Sequence, residues 1–478
     1  MIGERATLDS ILAHDWCMVK QKPVVILGGG PAGLSAAYYL TGRHRDSFVF
    51  EKESIVGGLA RTLKFGKFYT DIGPHVFYSK KAEVYNWFLT LLKGKAHLVK
   101  KISRFYVDGK YFLYPVNLKN ALTGVGILKA TRMVGDYVLE KIKRMLFKKK
   151  LASFEDYAIS NFGRTLANFN ILNYTRKSWG MSCTKISPYL AQLRIKNISL
   201  TSTLKSIIFK ARETTNETLQ KFYYPDLGAG VLYDELKKKI EAGKGNRVFV
   251  DSKAVGIVHD NKKVTAVLIS RKGIVRKFAC SSCISTLPIT ELALMMQPKP
   301  PADVVRAARR LKYRSQVYVF IELNKKKATI DNWAYFPDES IPFGRISEPK
   351  NFSTKMAPKG KTSLMVEYYV DHNDKVWNME PHKLYDLTIA ELEKLNIIKK
   401  EEVAGCHLHK EKDVYPLYDL HFKKPLHVLK AYVKKFPNLY ATGRGGAFKY
   451  HGQDVAIEMG KEVAECVAQG KPLLEREY

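Results

Sequence analysis

Short apolar runs bounded by glycine, proline or charge recur along this chain, alternating with longer stretches in which apolar side chains return at helical spacing. The run Val24 to Leu27 is β-branched and follows Pro23, so it predicts a strand buried on both faces. Leu34 to Leu40 predicts a helix and Phe48-Val49-Phe50 a second strand. Lys80 to Leu92 has helical period and should stop at Gly94, and ISRFYVDGKYFLYPVN predicts a hairpin turning at Asp108-Gly109. Helical spacing then runs from Leu118 to Leu172. Beyond FYYPDLGAG, which closes a loop and opens a helix, the segment from Asn246 to Pro288 predicts closely spaced strands. A strand is expected over Leu311 to Leu323, further antiparallel strands over residues 329–372, and a helix over Thr388 to Leu395. NLYATGRGGAFKYHGQDVAIEMG closes the pattern as strand, glycine turn and helix.

Chemistry enters at the first strand. Gly28, Gly30 and Gly33 satisfy G-x-G-x-x-G around Pro31 and Ala32. The first permits a tight turn, the second lets the backbone approach a pyrophosphate, and the third lets helix and sheet lie close. The free N–H groups of the helix that follows favour the phosphate. Glu51, closing the second strand ahead of Lys52, can accept a ribose hydroxyl and would repel a 2′-phosphate, which favours FAD or NAD over NADP. Gly57-Gly58, with Leu59 and Arg61, forms a second glycine loop directly after that acid. Near the other end, Gly443 and Arg444 are delivered to the start of a helix that carries Asp454, Val455 and Ala456. The two ends of the chain are therefore expected to complete one dinucleotide domain.

The fold class predicted is α/β: a Rossmann-like FAD-binding domain of the glutathione-reductase type, with a helical insertion and an antiparallel β-sheet substrate domain. The organisation expected is a lead-in over 1–22, a discontinuous FAD-binding domain over 23–79, 225–290 and 436–470, a mainly helical substrate-binding domain over 80–220, and an antiparallel substrate domain over 291–435.

Composition narrows the partners. The chain has 478 residues, 46% of them hydrophobic, with 79 Lys+Arg against 46 Asp+Glu and a formal charge of +33. Such a field attracts nucleic acid, anionic lipid or phosphorylated small molecules without choosing among them. No nucleic-acid module is visible, so nucleic acid is not expected as a partner. YVLEKIKRMLFKKK, from Tyr137 to Lys150, is basic and amphipathic, which suits either a solvated helix or peripheral contact with an anionic membrane. No run reaches the ~18 apolar residues of a spanning helix. The six scattered cysteines suit a reducing compartment, and a cytoplasmic location is expected. Cys280 and Cys283 form C-x-x-C without a second pair or a histidine cluster, so no metal site is expected. In NYTRKSWGMSCTKISPYLAQLRIKNISL, aromatic residues Tyr174 and Trp179 stand with Arg176, Lys177 and Arg194. Rings that stack and guanidinium groups that fork onto phosphate suit a base plus diphosphate.

The glycine doublet resembles that of the flavin amine oxidase, protoporphyrinogen oxidase and phytoene desaturase superfamily. With DIGPHVF, YTRKSWG, FYYPDLGAG, YRS, VYP and the terminal GRGGAFKY…DVAIEMG, the chain is similar to the UDP-galactopyranose mutases and protoporphyrinogen-oxidase-like flavoproteins over roughly residues 22–467. The resemblance implies FAD, contacted by the loop Gly73, Pro74 and His75 and by the backbone at Val255 beside the adenine. It also implies a nucleotide-sugar substrate, UDP-linked, whose pyranose and furanose forms interconvert after attack by reduced flavin on the anomeric carbon. Arg194 and Arg314 match arginines that neutralise the diphosphate, and His75 a histidine of the loop that moves with flavin redox state. Tyr174, Trp179, Tyr415 and Tyr450 match substrate-binding residues. Tyr78, Phe448 and Gly452 stand where bacterial mutases typically carry a histidine, a tyrosine and an acid. Two alternatives stay open on the same resemblance: an FAD-dependent oxidase or desaturase, and a non-enzymatic relative of the Rab GDP-dissociation inhibitors. The intact Gly28, Gly30, Gly33 and Glu51 speak against the second. Oligomeric state is not legible.

Overall fold

The computed structural model describes residues 22–79, 81–114, 124–147, 151–195 and 221–473. The expected lead-in, apart from its last residue, lies outside these ranges, as do Lys148 to Lys150 and the helical spacing over residues 118–123.

Five short strands form a parallel sheet in the order Leu439–Ala441, Ser282–Ser285, Val24–Leu27, Ser47–Phe50, Asn246–Phe249. Its strands come from three separated parts of the chain. The central strand Val24–Leu27 is buried along its length because helices cover both faces of such a sheet. The helix Pro31–Thr41 packs against the last long helix, Gln453–Gln469. Their approach is close enough that a Cβ on Gly460 would stand 2.3 Å from the carbonyl oxygen of Ala32. The Ser35 hydroxyl donates to the Ile457 carbonyl at 2.7 Å across the same contact. The first and last helices of the dinucleotide unit are thereby locked side by side.

A second, seven-stranded sheet runs Val403–Pro416, Tyr313–Leu323, Thr362–Val370, Arg345–Ser347, Trp333–Tyr335, Ser103–Val107, Lys110–Leu113. All neighbours are antiparallel except Trp333–Tyr335 with Ser103–Val107. The hairpin expected at Asp108-Gly109 is present, both residues holding positive φ, but it extends this sheet instead of standing within the helical part. Among the boundaries that move, the helix after Lys81 covers Ala82–Leu92, the strand expected from Leu311 begins at Tyr313, and the helix expected over Thr388 to Leu395 covers Pro381–Lys394. Pro381 explains the earlier start, since its missing N–H costs nothing in a first helical turn.

The helices Ile127–Leu146, Phe154–Phe162, Asn173–Trp179 and Pro188–Ile195 form the helical part, which meets the antiparallel sheet where Asn173–Trp179 packs on Thr362–Val370. A π-helical turn over Ala167–Leu172 precedes Asn173–Trp179. Such turns shift the register of side chains by one position and gather at functional sites. Here the turn brings Asn170 and Ile171 into the same small pocket as Tyr174.

One buried polar node ties the hairpin of Thr62–Phe65 and Phe68–Asp71 to the strand Lys221–Pro225 and the start of the helix Gly230–Glu241. Asp71 accepts from the hydroxyls of Thr62 at 2.6 Å and Tyr224 at 2.5 Å and from the backbone N–H of Ala229. Burial outweighs these donors and pushes its carboxyl up to about 7. The folded chain therefore holds a proton there that the unfolded chain releases near its ordinary pKa. Stability should fall as pH rises from about 4 to 7 and level off above, because the native state binds more protons across that window. In Asp71→Asn that component of the slope should vanish, which urea titrations at several pH values would measure.

Candidate cofactor and substrate site

The two glycine loops cross. Gly57 donates its N–H to the Gly29 carbonyl at 2.8 Å, and a Cβ on Gly58, which has φ +53°, would meet the Gly30 Cα at 2.9 Å. A Cβ on Gly33 would sit 2.0 Å from the Gly28 carbonyl oxygen. Only glycine permits these approaches, and they leave a backbone-lined cradle at the start of the helix Pro31–Thr41, where phosphate is favoured. Gly443, with φ +71°, comes up beside Ala32, and Asp454, Val455 and Ala456 occupy the first turn of the closing helix.

Glu51 is buried at the end of its strand and accepts from Gly29 N–H at 2.7 Å and Glu53 N–H at 2.9 Å. Each carboxylate oxygen retains a lone pair for a ribose hydroxyl. The Ser252 N–H donates to the Glu51 carbonyl at 2.8 Å, which ties the strand Lys253–His259 to this corner. In that strand the register skips Val255, passing from Ala254 opposite Ile269 to Gly256 opposite Leu268. The bulge takes Val255 out of the ladder on that side, as an adenine edge would need. These features fit an adenine dinucleotide. Glu51→Ala should weaken FAD binding roughly ten- to hundredfold, the worth of hydrogen bonds to a charged acceptor. Titration of the deflavinated protein with FAD measures it.

Arg61 and Lys52, proposed from the sequence as cofactor contacts, are both engaged by groups of the protein. The Arg61 guanidinium is 3% exposed and points to Glu411 at 2.5 Å, while donating to the Gly58 carbonyl at 2.7 Å. It braces the second glycine loop against the antiparallel sheet. Lys52 is exposed and pairs with Glu53 at 3.5 Å.

A cavity of about 340 Å³ opens beyond the loops, walled by Leu59, Pro74, His75, Arg345, Tyr415, Arg444, Tyr450 and Gly452 among others. Burial and the Arg444 cation depress His75 to about 3, so its ring is neutral. Its Nδ1 stands 3.0 Å from the Gly73 carbonyl. That partner assigns the proton to Nδ1 and leaves Nε2 as an acceptor. Gly73 has φ +84°, and a Cβ there would press the Arg345 guanidinium at 3.0 Å. Arg345 holds Glu367 through two parallel bonds of 2.6 Å. Arg444 donates to the His451 carbonyl at 2.6 Å and lies 5.5 Å from the ring centres of both Tyr415 and Tyr450. Among the described residues lining this cavity there is no Asp or Glu.

A small neighbouring pocket is walled by Tyr114, Asn170, Tyr174, Arg194 and Tyr335. The Arg194 guanidinium stands over the rings of Trp179 at 4.9 Å and of Tyr174 and Tyr450 at 5.9 Å. Trp179 in turn stacks near Tyr415. The buried indole N–H of Trp179 has no hydrogen-bond partner among the described residues. Tyr450, a wall of the larger cavity, thus stands 5.9 Å from the guanidinium that walls the smaller pocket, so Arg194 lies between the two.

Arg314 is not brought into this lining. It is 4% exposed and engaged by Asp371 at 2.7 Å, the Tyr369 carbonyl at 2.8 Å and the Ser178 carbonyl at 3.3 Å, beneath the end of the Trp179 helix. The cation expected from YRS supports that helix, and the guanidinium reaching the cavity is that of Arg345, which sequence reasoning missed. Phe448 is also turned away, packing edge-on against Tyr313 and Tyr418. Tyr78 is partly buried, and Gly452 caps the final helix at the cavity wall. Cys280 and Cys283 are buried free thiols, and no group of residues able to hold a metal occurs among those described.

Crossed glycine loops and a ribose-accepting acid on the parallel sheet, facing a cavity walled by Arg345 and Arg444, mark an FAD-dependent flavoprotein. The chain belongs to the family of flavin containing amine oxidoreductases, which matches residues 31–468. Among solved structures it is similar to reduced UDP-galactopyranose mutase, with 22% identity, 94% of each chain covered and a TM-score of 0.79. Putrescine oxidase bound to putrescine shares 14% identity over 94% of this chain and 99% of that one, with a TM-score of 0.62. Among curated proteins it is 21% identical to L-amino acid oxidase Bs29 of Bothriechis schlegelii, covering 93% of this chain and 90% of that one. An L-amino-acid oxidase of Demansia vestigiata is also 21% identical, covering 81% and 74%. At these identities the structural likenesses establish the fold. No helix among the described residues is long and apolar enough to cross a membrane.

Proposed function

We propose that the protein is a nucleotide-sugar mutase, interconverting pyranose and furanose forms of a UDP-linked sugar. The observation that carries this is the cavity's charge. Arg444 faces it, Arg345 faces it while paired with Glu367 behind the wall, Arg194 stands 5.9 Å from its Tyr450 wall, and no carboxylate is among its described lining residues. A positive, aromatic-walled site suits a diphosphate and repels an amine cation. Tyr174 walls the smaller pocket and offers an aromatic face to the nucleoside, while buried Trp179 behind it fixes Arg194. Arg194 and Arg444 hold the diphosphate and stabilise the charge it gains on leaving. Neutral His75, through Nε2, accepts from a sugar hydroxyl, and Tyr415 and Tyr450 orient the ring. Reduced flavin, when bound, supplies the nucleophile at the anomeric carbon.

Chemically reduced protein mixed with UDP-galactofuranose, or with a panel of UDP-sugars, should yield the isomer on chromatography. Flavin-loaded, reduced protein that yields none would overturn the proposal. A second reading, amino-acid oxidation, draws on the same Arg444, which can fork onto a substrate carboxylate, and on the amino-acid oxidases among the curated relatives. Oxygen-dependent peroxide formation from L-amino acids, with no response of the flavin spectrum to UDP, would select it.

A further inference from the structure

The helix Ile127–Leu146 presents an apolar ridge directly away from the body of the protein. Its inward side chains, Met133 and Tyr137, are buried in the core with Phe105, Phe112 and Phe169. Asp136 holds the same face down by accepting from the Thr165 backbone N–H at 3.1 Å and from the Thr165 hydroxyl. Outward, Leu128, Val134, Val138, Leu139, Ile142 and Met145 are between 44% and 88% exposed. At 3.6 residues per turn these positions, with Gly135 and Thr131 between them, fill one uninterrupted arc of about 140°. Isolated exposed apolar residues need no explanation, but a contiguous ridge does.

The rims of the arc are cationic. Lys141 borders one edge, and Arg132 and Lys143 the other, with Arg144 and Lys129 further round. Glu140 faces Lys143 at 3.2 Å, and Asp136 is committed to Thr165, so the ridge itself meets no acid. An apolar centre with lysine and arginine at both edges matches a leaflet, whose acyl region takes the ridge while the head groups meet the cations. The formal charge of +33 adds a long-range attraction of the same sign.

We propose that this helix docks the protein in the plane of an anionic lipid surface, with its axis parallel to the bilayer and Val138 and Ile142 at the deepest point. The inference is independent of the substrate, since none of its residues lines the cavity.

The test uses the full chain with bound FAD, sedimented with vesicles of phosphatidylcholine alone or mixed with phosphatidylglycerol. Binding to the mixed vesicles is expected, weakening with salt and slight on the neutral ones. Val138→Glu with Ile142→Glu, both solvent-facing, should reduce it by about tenfold or more, as should Lys141→Glu with Lys143→Glu, at unchanged melting temperature and flavin absorbance. Absence of binding to the mixed vesicles, or binding indifferent to both pairs of substitutions, overturns the proposal. So does a dimer in analytical ultracentrifugation that the glutamate pair dissociates, because the ridge would then be covered by a second copy.

Discussion

Arg194→Ala is expected to lower turnover in the proposed mutase reaction by about a hundred- to a thousandfold, the cost of losing one preorganised group that stabilises charge developing in the transition state. Its guanidinium is set against the faces of Trp179, Tyr174 and Tyr450, so it is held in place before any diphosphate arrives. That preorganisation is why the loss should be large. None of the residues that cradle the cofactor depends on Arg194, so flavin content should be unchanged and the variant should remain yellow. Arg194→Lys should recover only part of the activity, because an ammonium neither stacks between rings nor forks onto two oxygens. Single-turnover measurements with reduced enzyme would separate slower bond cleavage from weaker binding. Equal losses in kcat and kcat/KM mark the former.

The second large effect is on stability. Glu367→Leu should lower the free energy of unfolding by about 3–5 kcal/mol, because it strands the Arg345 guanidinium without its buried counter-ion. Glu367 is 0% exposed and meets Arg345 through two bonds of 2.6 Å. The double variant Arg345→Met, Glu367→Leu should regain most of that loss while remaining inactive, since the cavity would have lost a cation. Urea unfolding of the two variants beside the parent measures both the loss and the recovery. The contrast separates the pair's contribution to folding from its contribution to the pocket.

The dinucleotide unit was legible in the sequence because its constraints are local. Gly28, Gly30 and Gly33 sit within one turn, and Glu51 closes the very next strand, so chain order alone displays the chemistry. The aromatic segment around Trp179 was legible for the same reason, as the structure gathers Tyr174, Trp179 and Arg194 from two successive helices. Arg345 was not legible. Its identity as a cavity residue depends on a three-residue strand pairing with Thr362–Val370, and on Gly73 leaving it room from a distant loop. Arg314 misled for the converse reason. It stands in a strand of the right composition, but Asp371 and two carbonyls consume its donors, and no spacing along the chain announces that. Turn chemistry at Asp108-Gly109 announces the hairpin but says nothing about which sheet it will join, so its place at the edge of the antiparallel sheet is visible only in the structure.

The parallel sheet also imposes an order of events on biosynthesis. Its edge strand Leu439–Ala441 and the helix Gln453–Gln469 reach the ribosome exit hundreds of residues after Val24–Leu27, yet the strand pairs with Ser282–Ser285, the neighbour of Val24–Leu27, and the helix covers Pro31–Thr41. Until they emerge, the nascent chain carries an unpaired strand edge and an uncovered apolar helix face, the features that chaperones recognise. A ribosome-stalled chain ending before Leu439 is therefore expected to retain no flavin once the free cofactor is washed away.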